Sequence, residues 1–119
     1  MSGRLSWIEH KGAKILYVDY SGLSEKEFVQ TIEEFKNELL KQAPGSVVTL
    51  SNTADTYITS AVRDKFQELN EQTRGISKGA AGIGITGFKK VLAGLVKSDM
   101  YFADSLEEAI EWLAEQAKK

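Results

Sequence analysis

The sequence has 119 residues, of which 42% are hydrophobic and 27% are charged, as in an ordinary globular domain. The net charge of −2 argues against general nucleic-acid binding, and the absence of cysteine excludes disulfides, thiol catalysis and thiolate metal sites. There is no apolar run long enough for a membrane span and no signal-like segment, so we expect one cytoplasmic domain over residues 1–119.

A β-hairpin is predicted at the start of the chain. Two β-like segments, Arg4–Glu9 and Lys14–Tyr20, flank a turn at His10–Ala13. In the second segment, both sets of alternating side chains, one for each face of the strand, are largely apolar. This pattern predicts an interior strand that is covered on both sides.

Two helices are predicted in the middle of the chain. The first begins at a capping box formed by Ser24 and Glu27, continues to about Gln42 and is stopped by Pro44–Gly45. A β-branched strand follows at 46–50, and the second helix is predicted from 59–60 to 73.

Two further strand–helix pairs are predicted in the last third of the chain. The strands are 80–86 and 100–103, the helix between them carries an apolar stripe over 88–96, and Ser105 and Glu108 form a capping box for the final helix. The inner face of that final helix is predicted to carry Leu106, Ile110 and Leu113. The order β-β-α-β-α-β-α-β-α predicts an α/β fold with a hairpin followed by a mostly parallel sheet.

A glycine motif, G-x-G-x-x-G, is spelled by Gly82, Gly84 and Gly87. A dinucleotide-binding loop needs a strand before its first glycine, whereas Gly82 and Gly84 fall inside the predicted strand. We therefore expect these two glycines to permit close approach of a neighbouring helix or backbone, and we expect no cofactor. The only histidine, His10, is predicted to be solvated in the hairpin turn, and no metal site or catalytic motif is expected.

Ligands of parallel sheets bind beyond the carboxyl ends of the strands, where helix N-termini favour anions. Lys89 and Lys90 are predicted in the first turn of a helix, where an anionic partner would offset their unfavourable interaction with the helix dipole. Simple helix capping by the hydroxyl side chains is the alternative. The predicted ligand- or partner-binding residues are Thr59, Ser60, Thr86, Gly87, Lys89 and Lys90.

Three features of the chain together are typical of one family: the element order, residues 84–90 (GITGFKK) and residues 101–113 (YFADSLEEAIEWL). In these features the chain resembles the STAS/SpoIIAA-like proteins, and more narrowly their small stand-alone bacterial branch, which is related in fold to CRAL-TRIO-type lipid-binding domains. The resemblance implies a β/α superhelical domain that binds proteins or small ligands.

In the anti-sigma antagonists of that superfamily, a partner kinase phosphorylates a serine at the start of the helix after the central strand. The corresponding position here is near Thr59–Ser60, so the resemblance implies Ser60 as a phosphorylation site. The family pattern is close to Asp-Ser-x-Gly, whereas residues 59–62 read Thr-Ser-Ala-Val.

These observations leave several functions open. The first is a non-enzymatic regulatory or binding module that engages a protein partner or an anionic ligand. The second is a carrier of a lipid or other small apolar molecule, held between residues 80–84 and the stripe at 88–96. A third, a small-molecule enzyme, would need a polar cluster drawn from Asp19, Tyr20, Asp55, Tyr57 and Arg63. The edge strand of the hairpin can also pair with a second copy, which predicts a homodimer.

Overall fold

The computed structural model describes residues 3–85 and 100–119, which contain five strands and three helices. The strands are β1 (Leu5–His10), β2 (Ala13–Asp19), β3 (Val47–Asn52), β4 (Ser77–Ile83) and β5 (Tyr101–Phe102). The helices are α1 (Glu25–Leu39), α2 (Ser60–Gln72) and α3 (Leu106–Ala117). The strands form one sheet in sequence order, with β1 antiparallel to β2 and all later pairs parallel. The predicted α/β architecture is confirmed.

The hairpin turn consists of two residues with left-handed backbone, Lys11 at φ 51° and Gly12 at φ 82°. This is the geometry that matches the twist of the flanking strands. His10 is not simply solvated as predicted, because its Nε2 lies 2.6 Å from Glu111 Oε1. Lys11 Nζ donates to the other oxygen of Glu111 at 2.8 Å, so the turn is joined to α3.

The sheet has a hydrophobic core on each face. On one face, Leu16 of β2 and Tyr20, which follows β2, pack with α1 and α2. On the other face, Ile15 of β2 and Leu50 of β3 pack with Leu113 of α3. Interior strand β2 is therefore buried on both sides, as its sequence predicts.

The predicted starts of α1, α2 and α3 are correct, with one difference in the capping of α3. Ser24 and Glu27 form the reciprocal capping box of α1. Ser105 caps α3 by accepting from Glu108 N–H at 3.1 Å, but the Glu108 carboxylate bonds to Asp104 N–H at 2.9 Å instead of to Ser105. The reciprocal half of this second capping box is therefore wrong.

The inner face of α3 also differs from the prediction. Leu113 is buried and Ile110 packs partly buried against the core, as predicted, but Leu106 is 39% exposed, and Ala109 and Ala114 are also buried. Small alanine side chains let the helix lie close to the sheet, so the buried stripe follows them and leaves the leucine of the first turn outside.

Strand β4 begins and ends earlier than predicted. Between Val47 and Thr49 of β3 the register with β4 shifts from Ser77 to Ala80, which gives β4 one extra residue, a β-bulge. The strand ends at Ile83 because Gly84 has a left-handed φ of +72°. Residue 86 and the predicted helix at 88–96 lie outside the described residues.

Helices α1 and α2 are joined by a ring of four charges. Lys36 Nζ lies 2.8 Å from Glu33 and 3.4 Å from Glu68, and Lys65 Nζ lies 2.6 Å from each of the same carboxylates. The two lysines hold the pKa of Glu33 below its usual range, mainly through hydrogen bonds. The ring links the middle of α2 to α1 through long, flexible side chains.

Candidate functional site

The carboxyl ends of neighbouring strands are tied together by backbone hydrogen bonds. Tyr20 N–H, after β2, donates to Asn52 at 2.8 Å, and Gly22 N–H donates to Ala54 at 3.1 Å. On the other side, Thr53 N–H donates to Ile83 of β4 at 3.1 Å. The start of the loop between β3 and α2 is thus held by both neighbouring strands.

Gly84 closes the space between the ends of β3 and β4. A Cβ atom at residue 84 would lie 2.7 Å from Ala54 N and 2.8 Å from Asn52 Oδ1, which is too close for any side chain. The predicted close approach of backbone at this glycine is confirmed, although Gly84 lies just after the strand and not inside it. Gly82 serves another purpose, since a Cβ there would meet the Ile85 side chain at 2.5 Å.

Beyond this fixed base, the loop from 53 to 59 turns outward. Asp55 has a left-handed φ of 55°, and Thr56 Oγ1 donates to Thr53 O at 2.6 Å. This turn leaves Tyr57 with 85% of its surface exposed. Sequence reasoning gives no signal for that exposure, because a tyrosine between two polar stretches is equally compatible with burial.

Thr59 and Ser60 lie at the start of α2, as predicted, but their hydroxyls have different roles. Thr59 is the N-cap, and its hydroxyl accepts from Val62 N–H at 3.3 Å. Ser60 is the first helical residue and is exposed. Thr59 is therefore engaged in the helix cap, whereas Ser60 presents its hydroxyl to solvent.

The first turn of α2 differs in charge from those of the other described helices. It contains no acidic residue, whereas α1 begins with Glu25 and Glu27 and α3 with Glu107 and Glu108. Because acidic side chains normally complement the positive end of a helix dipole, α2 lacks that compensation. The nearest cation along the helix, Arg63, lies 3.5 Å from Asp64 Oδ1.

The second predicted binding segment, Thr86, Gly87, Lys89 and Lys90, lies outside the described residues. Its position relative to Ser60 therefore stays a prediction. The same holds for an apolar pocket beside the helix predicted at 88–96, and with it for the carrier hypothesis.

The structure separates two members of the polar cluster that an enzyme would need. Tyr20 is fully buried in the core, whereas Tyr57 is exposed on the loop. Asp19 lies 3.9 Å from Arg4 and accepts from Ser21 N–H. Within residues 3–85 and 100–119, no group of three or more histidine or acidic side chains is placed to hold a metal ion.

No protein-family model matches the chain, and no curated protein sequence matches it. Solved structures do match. A Moorella thermoacetica RsbS with a serine-to-glutamate substitution superposes with a TM-score of 0.73 at 15% identity, over 98% of this chain and 100% of that one. The chain has the STAS/SpoIIAA-like fold. An anti-sigma-factor antagonist (STAS) domain protein from Planctomyces limnophilus also matches, with a TM-score of 0.64 at 10% identity over 92% of this chain and 97% of that one.

The predicted STAS-like fold is thus confirmed, and at these identities the likeness concerns the fold alone. None of the helices described for the chain has the length and apolar character of a membrane span.

Proposed function

We propose that this chain is a non-enzymatic regulatory module that binds a protein partner through the loop after β3 and the start of α2. The surface consists of Asp55, Tyr57, Ser60 and Arg63, and we call it the α2 surface. The proposal is supported by the STAS-like fold, since one matching structure is named as an anti-sigma-factor antagonist domain. The observation that carries it is the 85% exposure of Tyr57 on a loop whose base is fixed.

Tyr57 has the properties of an interface anchor. Tyrosine is enriched among the residues that dominate binding energy, because it offers a large apolar ring and a polar end at a small cost in side-chain entropy. The backbone bonds at Asn52 and Ala54 hold the base of the loop, so the ring is presented from a preorganised support.

Ser60 is the residue at which we propose that binding is regulated by phosphorylation. Its hydroxyl is exposed, and a phosphate there would meet the positive end of α2 without an acidic residue in the first turn. The fold would tolerate the modification, while the added charge would change the surface offered to the partner.

The test begins by identifying the partner with a photo-crosslinking residue in place of Tyr57, using the same residue at Leu40 as a matched control. Leu40 is also an exposed large hydrophobic residue, at 47%, but it follows α1. The purified partner is then titrated calorimetrically. Tyr57→Ala should weaken binding by about tenfold or more, and Leu40→Ala should leave it unchanged. Equal affinity of Tyr57→Ala and the unmodified chain would refute the α2 surface.

The proposed regulation through Ser60 is tested with separate variants. Ser60→Glu should leave the melting temperature nearly unchanged and alter the affinity for that partner. Thr59→Ala should instead lower stability by about 1 kcal/mol through loss of the cap, with affinity retained. A Ser60→Glu variant that binds like the unmodified chain, together with no phosphate on Ser60 in protein isolated from its own cells, would exclude the switch.

A further inference from the structure

The Tyr20 hydroxyl is a buried polar group that the proposed surface does not use. The side chain is fully buried, and within the described part of the chain its hydroxyl oxygen has no hydrogen-bond partner. Burial raises the pKa of Tyr20 far above its usual value, because the phenolate would be desolvated. In the folded state the hydroxyl has given up its bonds to water without replacing them, which is unfavourable.

The Tyr20 ring contacts two aromatic rings from different helices. Phe28 of α1 stacks on it with a centroid distance of 4.7 Å, and Phe66 of α2 meets it edge-on at 5.7 Å. Phe28 and Phe66 also contact each other at 5.6 Å. Neither ring offers an ordinary hydrogen-bond acceptor, so the hydroxyl is enclosed between β2 and the two helices.

The two helices are not equally anchored. The buried residues of α1 are Phe28, Thr31, Ile32, Phe35, Lys36 and Leu39. Those of α2 are only Val62 and Leu69, while Phe66 is partly exposed. If the aromatic cluster opens, α2 is therefore the helix that can move with the smaller loss of buried surface.

We propose that Tyr20 gives α2 a second position, in which the helix has moved away from β2 far enough for the Tyr20 hydroxyl to be hydrated. Bonding of the hydroxyl to water offsets part of the apolar packing energy that Phe66 gives up in the move. The second position is thus closer in free energy to the first than it would be with a phenylalanine ring at residue 20. Since α2 begins at Ser60, this movement displaces the α2 surface, but the test needs neither a partner nor a phosphate.

The experiment compares backbone hydrogen exchange and melting temperature in the unmodified chain, in Tyr20→Phe and in the control Tyr17→Phe. Tyr17 is half-buried, and its hydroxyl accepts from Asn52 Nδ2 at 3.4 Å, so the control removes a hydroxyl that has a partner. Tyr20→Phe should raise the melting temperature and slow exchange of the Phe66 and Leu69 amides by about tenfold, because it removes the group whose hydration stabilises the second position. Tyr17→Phe should slow neither.

Two results would overturn the inference. If Tyr20→Phe slows exchange in α1 but leaves the α2 amides unchanged, the hydroxyl is not hydrated when α2 moves. If Tyr20→Phe lowers the melting temperature, the hydroxyl has a favourable partner in the folded state. Both results can be obtained without any binding partner, so they do not depend on whether the α2 surface binds one.

Discussion

Replacing Gly84 with alanine tests the close approach that closes the carboxyl edge of the sheet. The left-handed φ of +72° costs an alanine about 1 kcal/mol. The new Cβ would also lie 2.7 Å from Ala54 N and 2.8 Å from Asn52 Oδ1, and neither atom can retreat easily, because Ala54 N–H donates to Asn52 Oδ1 at 3.0 Å. Overpacking of this kind costs about 2 kcal/mol. We therefore expect Gly84→Ala to lower stability by about 3 kcal/mol and the melting temperature by roughly 12 °C.

The matched control for this prediction is Gly22→Ala. Gly22 has nearly the same φ, +70°, but nothing lies within 4 Å of its Cβ position. Only the backbone cost then remains, about 1 kcal/mol. Thermal and urea unfolding followed by circular dichroism would measure both variants. Equal losses in the two variants would show that the approach of Ala54 to Gly84 has no energetic importance, and the account of the closed edge would be wrong.

Other perturbations test the remaining interactions. Gly82→Ala should cost less than Gly84→Ala in the same unfolding assay, because the atom it meets is the flexible end of Ile85; a larger loss would contradict this. Glu111→Gln should remove a pH-dependent contribution to stability, since Lys11 and His10 lower the pKa of Glu111 below its ordinary 4.5. That contribution is present above pH 4.5 and is lost as the pH falls through the lowered value, so the melting temperatures of variant and unmodified chain should converge in acid; a constant difference would exclude it.

The parts of the fold that were predictable depend on local patterns. The alternation of β2 identified both of its buried faces, since side chains in a strand point to opposite sides whatever the partner. The start of α2 near residues 59–60 was predictable because hydroxyl side chains favour the N-cap position, although the cap is Thr59 and not Ser60. The prediction that Gly82 lies inside a strand is also correct.

The parts that were missed depend on distant residues. The backbone that approaches Gly84 belongs to Ala54, thirty residues earlier, and no short window of sequence contains both. Burial of Lys36 requires carboxylates from both α1 and α2, so an amphipathic plot of α1 alone assigns this lysine to the solvent. The exposure of Tyr57 depends on the outward path of its loop, which the sequence of that loop does not encode in any recognisable pattern.

The bond between His10 and Glu111 joins residues that are 101 positions apart, and this separation has a consequence for synthesis on the ribosome. α3 contacts β2, β3 and β4, and it covers the sheet face that carries Ile15 and Leu50. The strands under that face are made long before the helix that shields them. A nascent chain that has formed its hairpin therefore exposes apolar strand surface until residues 106–117 emerge, which is the interval in which such surfaces bind chaperones or aggregate.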